Sequence, residues 1–245
     1  MKTGWNVIWF DGPIVSYVNQ FARHSRILDM IAVILSEAPL LKGGALVAAL
    51  LWIWFRGGDR QKSDREIVVL TLILSTASVL LARGLALSVP FRERPLRVPE
   101  LHFQIPLTMN LQTLEGWSSF PSDHAAFFFT AATCIFFVVR RLGTFAFLYT
   151  IFLVCLPRVY LGIHYPSDIL AGALLGIAMA FLVKLPRVGN AIARPFLRWE
   201  QSHPTQFYPF FFVASFEVGE LFVSVRLLGR IGIAVAKSAA NHLFR

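Results

Sequence analysis

Apolar residues gather into six runs along the chain, each bounded by a short polar stretch. Five are clear, at about 39–56, 66–90, 121–139, 142–161 and 166–184. The first, 14–36, is weaker, because Asn19, Gln20, Arg23 and His24 break its middle, and it reads as an interfacial stretch leading into a span. A hydrocarbon core of about 30 Å is crossed by about 20 mostly apolar residues, so the pattern predicts an all-α integral membrane protein with a bundle of six transmembrane helices. Neither an internal repeat nor a low-complexity tract interrupts it. Residues 1–200 are expected to form one membrane domain and 201–245 a C-terminal tail. In the tail, "FYPFFFVASF" is followed closely by Glu217 and Glu220, and "LFVSVRLLGRIGIAVAK" carries Arg226, Arg230 and Lys237 on an amphipathic pattern. That pattern predicts an interfacial helix rather than a seventh span.

Composition supports the membrane reading. Of 245 residues 56% are hydrophobic and 15% charged, against about 25% charged in ordinary globular chains. A net charge of +9 would point to nucleic acid in a soluble protein. Here the cations sit in the connections instead: Arg56, Arg60, Lys62 and Arg65, then Arg140 and Arg141, then Lys184, Arg187, Arg194 and Arg198. In a six-span chain these segments share one side with the N-terminus, and the excess of Lys and Arg marks that side as cytoplasmic. The charge is therefore assigned to topology, and no nucleic-acid partner is expected. The 36–40 turn, the segment 91–120 and the one near 158–165 face the opposite side. Asp11 and Pro13 interrupt the short run "WNVIWF", so no cleavable signal peptide is evident. Cys134 and Cys155 lie inside apolar runs and read as packing residues.

The unusual polar residues all fall on that opposite side. They are Arg83, Arg92 and Arg94 late in run three and just beyond it, Ser122, Asp123 and His124 opening run four, Arg158 closing run five, and His164 and Asp168 leading into run six. Singly, each has an ordinary explanation. Acids in a first turn after Pro121 or Pro166 are usual helix-start chemistry, and lone arginines snorkel toward headgroups. Together they suit phosphate chemistry. Guanidiniums clamp phosphate oxygens, and two helix N-termini add N–H donors. Two histidines offer a nucleophile and a general acid. His164 precedes Asp168 by four residues, so the carboxylate can fix its tautomer and make it the nucleophile. His124 has no partner at such a spacing and is the better proton donor.

These residues resemble the three-part signature of the type 2 phosphatidic acid phosphatase superfamily, which includes the vanadium haloperoxidases. The family pattern is K-x6-RP, then PSGH, then SR-x5-H-x3-D. Here stand Arg94-Pro95, "PSDH" at 121–124, and "PRVYLGIHYPSD" at 157–168. The resemblance covers roughly 66–184, with its signature between 83 and 168. It departs from the pattern at three places. The family lysine falls on Leu87, with Arg83 one turn earlier as its replacement; the serine before Arg158 is Pro157; the glycine of PSGH is Asp123. The last variant is similar to the bacitracin-resistance type of undecaprenyl-diphosphatases.

The resemblance implies a six-helix bundle of the lipid phosphate phosphatase type in the cell inner membrane, its site facing the periplasm or cell exterior. It implies a lipid phosphate or diphosphate substrate, with undecaprenyl diphosphate favoured over a glycerolipid such as phosphatidic acid or phosphatidylglycerol phosphate. His164 would form a phosphohistidine, Asp168 orient it and His124 protonate the leaving lipid phosphate. Arg83, Arg94, Arg158, Ser122 and the backbone around Asp123 would bind phosphate oxygens, with no metal or cofactor. Asp123 itself either carries a proton or pairs with Arg83 or Arg92. Three rivals remain: a lipid phosphotransferase at the same site, a metal-dependent hydrolase ligated by Asp123, His124, His164 and Asp168, and a lipid transporter that only grips headgroups.

Overall fold

The computed structural model describes residues 8–107, 109, 116–221 and 223, and among them every regular element is helical. The weak first run divides into α1 (Asp11–Asn19) and α2 (Arg26–Glu37). Between them Arg23 takes a left-handed φ of 65°, and Ser25 caps α2 by accepting from the Leu28 N–H at 3.3 Å. Its polar middle is therefore a helix break and not the inside of a span. A π turn at Leu40–Gly44 then leads into α3 (Ala45–Phe55). α2 and the 40–55 helix bend by 67° and form one apolar path. Asp29 near its start accepts from the Tyr160 hydroxyl at 2.5 Å, and the Trp54 carbonyl near its end accepts from Arg65 Nε at 3.2 Å. The path thus crosses the bundle once, and the turn expected at 36–40 is a bend within it.

α4 (Gln61–Ser88) returns, and the long segment from 89 leads to α5 (Asp123–Val138). α6 (Arg140–Tyr149), a π stretch at Thr150–Cys155 and α7 (Leu156–Tyr160) make one continuous path. α8 (Pro166–Ala180) extends by a 3₁₀ turn to Lys184, and α9 (Pro186–Val188) and α10 (Arg194–Ser202) follow. Among the described residues three helices are long and apolar enough to cross a membrane, Gln61–Ser88, Arg140–Tyr160 and Pro166–Lys184, or four if the bent pair counts as one span. That is fewer than the six full-length spans expected. Run one is split, and α5, with 16 residues, covers only about 24 Å.

α5 is short because it is the axis of the bundle, buried along most of its length between α4, α6 and α8. α5 and α8 run parallel from a common end. Gly172 lies on Ser122 and Ala125, and Gly176 one turn later on Ala126 and Thr130, where a Cβ would strike the α5 backbone. Small residues four apart let membrane helices approach this closely. Beneath them Trp54, Leu70, Phe127, Phe128 and Ile135 form the main core. The first part of the tail, α11 (Pro204–Gly219), joins that core: Phe207 and Phe211 lie against Trp54 with ring centroids at 5.7 and 4.6 Å, and Gly219 meets Gly43. The amphipathic stretch carrying Arg226, Arg230 and Lys237 lies outside the described residues.

The two ends of the bundle differ in charge. Arg56 pairs with Asp64 at 2.6 Å and Arg65 with Glu200 at 3.0 Å at one end, beside Lys62, Arg194 and Arg198. The other end holds the starts of α5 and α8. The N-terminal helix belongs to this second end, contrary to the side expected from the hydropathy pattern. Asp11 pairs with Arg92 at 2.7 Å, and Asn19 exchanges two 2.8 Å hydrogen bonds with the Gln104 backbone.

Candidate active site

The site is built where α5 and α8 begin together. Ser122 is the N-cap of α5: its Oγ accepts from the Ala125 N–H at 3.3 Å, and its own N–H donates to the Asp168 carbonyl at 3.1 Å. It is wholly buried, so its oxygen caps the helix. Asp168, in the first turn of α8, is equally buried. Its Oδ2 accepts from the Tyr165 N–H at 2.7 Å and from the Ser119 hydroxyl, and its Oδ1 from Arg92 at 2.5 Å.

His164 and Asp168 come together, but not by the direct hydrogen bond their spacing predicts. His164 Nδ1 lies 2.9 Å from the Ser119 carbonyl and 3.7 Å from Asp168 Oδ2, the latter too long for a hydrogen bond. A carbonyl only accepts, so Nδ1 carries the hydrogen and Nε2 keeps its lone pair. Ser119 links the two: its carbonyl holds the imidazole while its hydroxyl is held by Asp168. Burial, reinforced by Arg94, pushes the His164 pKa below its ordinary value against the opposing pull of Asp168 and Asp123. His164 is therefore neutral near pH 7, as a nucleophile must be.

The carboxylate bond predicted for His164 is found at His124. Asp123 Oδ1 accepts from both the backbone N–H and Nδ1 of His124, each at 2.9 Å. An adjacent residue at a helix start can fold back in this way, which a search at four-residue spacing overlooks. Asp123 Oδ2 accepts from Arg83, whose guanidinium also lies 4.6 Å over the Trp117 ring. Two of the departures from the family pattern are thus one ion pair. Leu87, at the lysine position, is 87% exposed and points away from the bundle. Of the alternatives for Asp123, pairing with Arg83 is the one found.

The remaining arginines behave differently. Arg94 and Arg158 are buried. Arg94 donates to the Ile163 carbonyl at 2.7 Å, and Arg158 to the Val154 carbonyl at 2.7 Å. Among the described residues neither has a carboxylate within 4 Å, and Arg94 Nε has no hydrogen-bond partner. Burial, the largest cause, lowers Arg94 to about 10, so it stays charged at neutral pH. Buried cations without a direct ion pair are costly, and these two act on the histidines, Arg94 on His164 and Arg158 on His124.

Sequence reasoning gave Arg92 a different place and assigned no role at the site to Asp11 or Lys42. Arg92 bonds Asp168, Ser167 and Asp11 rather than facing the histidines. Asp11, 81 residues away from it, left no signal beyond being an acid in an apolar run. Lys42, buried in the π turn of the bent path, places a further positive charge within electrostatic range of His124. A charge and a π turn inside an apolar segment were the available signs. Asp123, His124, His164 and Asp168 separate into two arginine-bound pairs, and among the described residues no three His, Cys, Asp or Glu side chains are arranged to hold a metal ion.

The chain is similar to the undecaprenyl-diphosphatase BcrC of Bacillus subtilis (strain 168), 26% identical over 69% of this chain and 80% of that protein. It is also similar to the bacitracin transport permease protein BcrC of Bacillus licheniformis, 42% identical over 27% of this chain but only 32% of that protein. Among solved structures, LpxE of Aquifex aeolicus shares the fold, with a TM-score of 0.51 and 23% identity over 74% of this chain and 99% of that one. The family model of the PAP2 superfamily matches residues 67–188, the stretch that holds most of α4, α5, the 140–160 path and α8 with every arginine and histidine just described, and the chain belongs to that superfamily.

Proposed function

We propose that the chain is a membrane lipid phosphatase that removes the terminal phosphate of a polyprenyl diphosphate, undecaprenyl diphosphate in particular. The observation that carries this reading is the pair of buried guanidiniums, Arg94 and Arg158, with no carboxylate within 4 Å among the described residues, beside two oriented histidines. A terminal phosphate supplies the charge they lack. His164 Nε2 attacks phosphorus and breaks the bond to the lipid phosphate, while His124 gives that departing oxygen a proton. Water then attacks the phosphohistidine, His124 takes its proton, and inorganic phosphate leaves with His164 restored. The Asp123 variant of the second motif and the name of the B. subtilis relative favour a diphosphate over a glycerolipid.

The basic end then faces the cytoplasm, and the site opens at the outer face of the inner membrane. In this reading the chain makes six passes, with α11 in place of the split first run. An experiment on the purified protein tests the reading. Inorganic phosphate is measured from undecaprenyl diphosphate, phosphatidic acid and phosphatidylglycerol phosphate. Fastest release from the diphosphate is expected, and a faster glycerolipid would overturn the substrate. Label recovered on an acceptor lipid instead of as free phosphate would favour a phosphotransferase. The word transport in the B. licheniformis relative's name favours a second reading, a headgroup grip without chemistry. That reading requires His164 to be dispensable.

A further inference from the structure

Asp11 and Arg92 lie behind the nucleophile. Asp11 is fully buried at the first residue of α1, and Arg92 is nearly so in the outer segment. Asp11 Oδ1 accepts from the Ser167 N–H at 2.9 Å, and its Oδ2 from the Ser167 hydroxyl at 2.6 Å and from Arg92 at 2.7 Å. Arg92 in turn donates to Ser167 at 2.8 Å and Asp168 at 2.5 Å, and lies 4.2 Å over the Tyr165 ring. The helix α1 thus caps the start of α8 from outside it. This quartet contains two carboxylates and one guanidinium, so its net charge is −1.

That surplus matters for His164. As Nε2 bonds to phosphorus with Nδ1 still protonated, the imidazole ring becomes positive. Arg92 alone would neutralise Asp168 and leave only Asp123, itself paired with Arg83, to balance the ring. We infer that Asp11 is a positioning residue whose charge offsets Arg92 and thereby leaves the Asp168 charge acting on His164. The inference rests on His164 being the nucleophile, as proposed above. His164 is faced by Asp168 on α8, Arg94 on the outer segment and Asp123 on α5, and the Ser119 carbonyl holds its Nδ1. None of these contacts is made by Asp11 or Arg92 themselves.

The test is the pH profile of kcat/KM for phosphate release by the full-length protein in detergent. Asp11→Asn keeps the acceptor for Ser167 and removes a negative charge, so free imidazole persists to lower pH. The acid limb is expected to move down, by about half a unit or more, and kcat to fall about tenfold with KM within about twofold. Arg92→Gln removes a positive charge, so the same limb is expected to move up. Opposite displacements are not a consequence of generic structural damage, and either variant alone still reports a direction if the other does not fold. Unmoved limbs, or limbs moving the same way, overturn the inference. His164→Ala is assayed in parallel: an active His164→Ala protein sinks the nucleophile assignment itself, whereas an inactive one with unmoved limbs sinks only the role of Asp11.

Discussion

The two histidines sit a few residues from parallel helix starts, yet their surroundings are opposites. His164 is inside, its Nδ1 on a backbone carbonyl and its neighbours Asp168, Ser119, Arg92 and Asp11 all buried. His124 is at the rim, its Nδ1 on Asp123, which is shared with the partly exposed Arg83 stacked on Trp117. A nucleophile benefits from fixed geometry and a single tautomer. A general acid must exchange protons with solvent in each turnover, and a rim position permits that. Two of the three departures from the family pattern are also at the rim: Leu87 is exposed, and Arg83, one turn earlier, pairs with Asp123. The buried half keeps Arg158, His164 and Asp168 at the family spacing.

If the buried half carries the chemistry, the largest losses after that of the nucleophile come from its arginines. Arg94→Ala and Arg158→Ala are each expected to cost on the order of 2–4 kcal/mol of transition-state stabilisation, the range seen for one oxyanion donor. Measured kcat/KM within threefold of wild type for either would separate it from the phosphate. Arg83 is expected to matter less, because it is partly exposed and already paired. Arg83→Ala should cost about 1 kcal/mol, the scale of a partly exposed ion pair. Equality with Arg94→Ala would place Arg83 on the phosphate after all. The link between Arg83 and Asp123 can be sharpened with a double-mutant cycle of Arg83→Ala and Asp123→Asn. A coupling of about 0.5 kcal/mol or more is expected for a real pair, and additive losses would mean the contact does not matter for turnover.

The pH profile gives the mildest of these effects. His164 must be neutral to attack, and burial lowers its pKa. The acid limb of kcat/KM should therefore lie below about 6.5, the ordinary histidine value. A limb above that value would mean that Asp168 and Asp123 outweigh burial.

The contrast between the halves also separates what the sequence discloses from what it conceals. His164, Asp168 and Arg158 are spaced along one short segment, so local periodicity brings them to one end of two helices. The pairing of Asp123 with Arg83 was one of the open alternatives, being a cation and an acid at facing helix ends. Asp11 and Arg92 were hidden because their contact joins residues 81 positions apart. The fold shows the same division. Long apolar runs such as 66–90 became helices, but hydropathy counts residues and does not see a bend, so α2 and the 40–55 helix were read as two spans. It also places the first run by charge alone, whereas Asn19 and Asp11 tie that segment to the site end.

The division of labour between the two histidines is tested most directly by trapping the phosphorylated enzyme with two substrates. One is undecaprenyl diphosphate, with a poor leaving group; the other is a nitrophenyl phosphate, which needs little protonation to depart. A general acid contributes about 10²–10⁴-fold, chiefly with poor leaving groups. His124→Ala should therefore be nearly inactive on the lipid yet recover on the nitrophenyl ester and accumulate acid-labile, base-stable phosphate. His164→Ala should form no such adduct and recover with neither substrate. Rescue of His164→Ala by the activated ester, with trapped phosphate and an inactive His124→Ala protein, would reverse the roles of the two histidines.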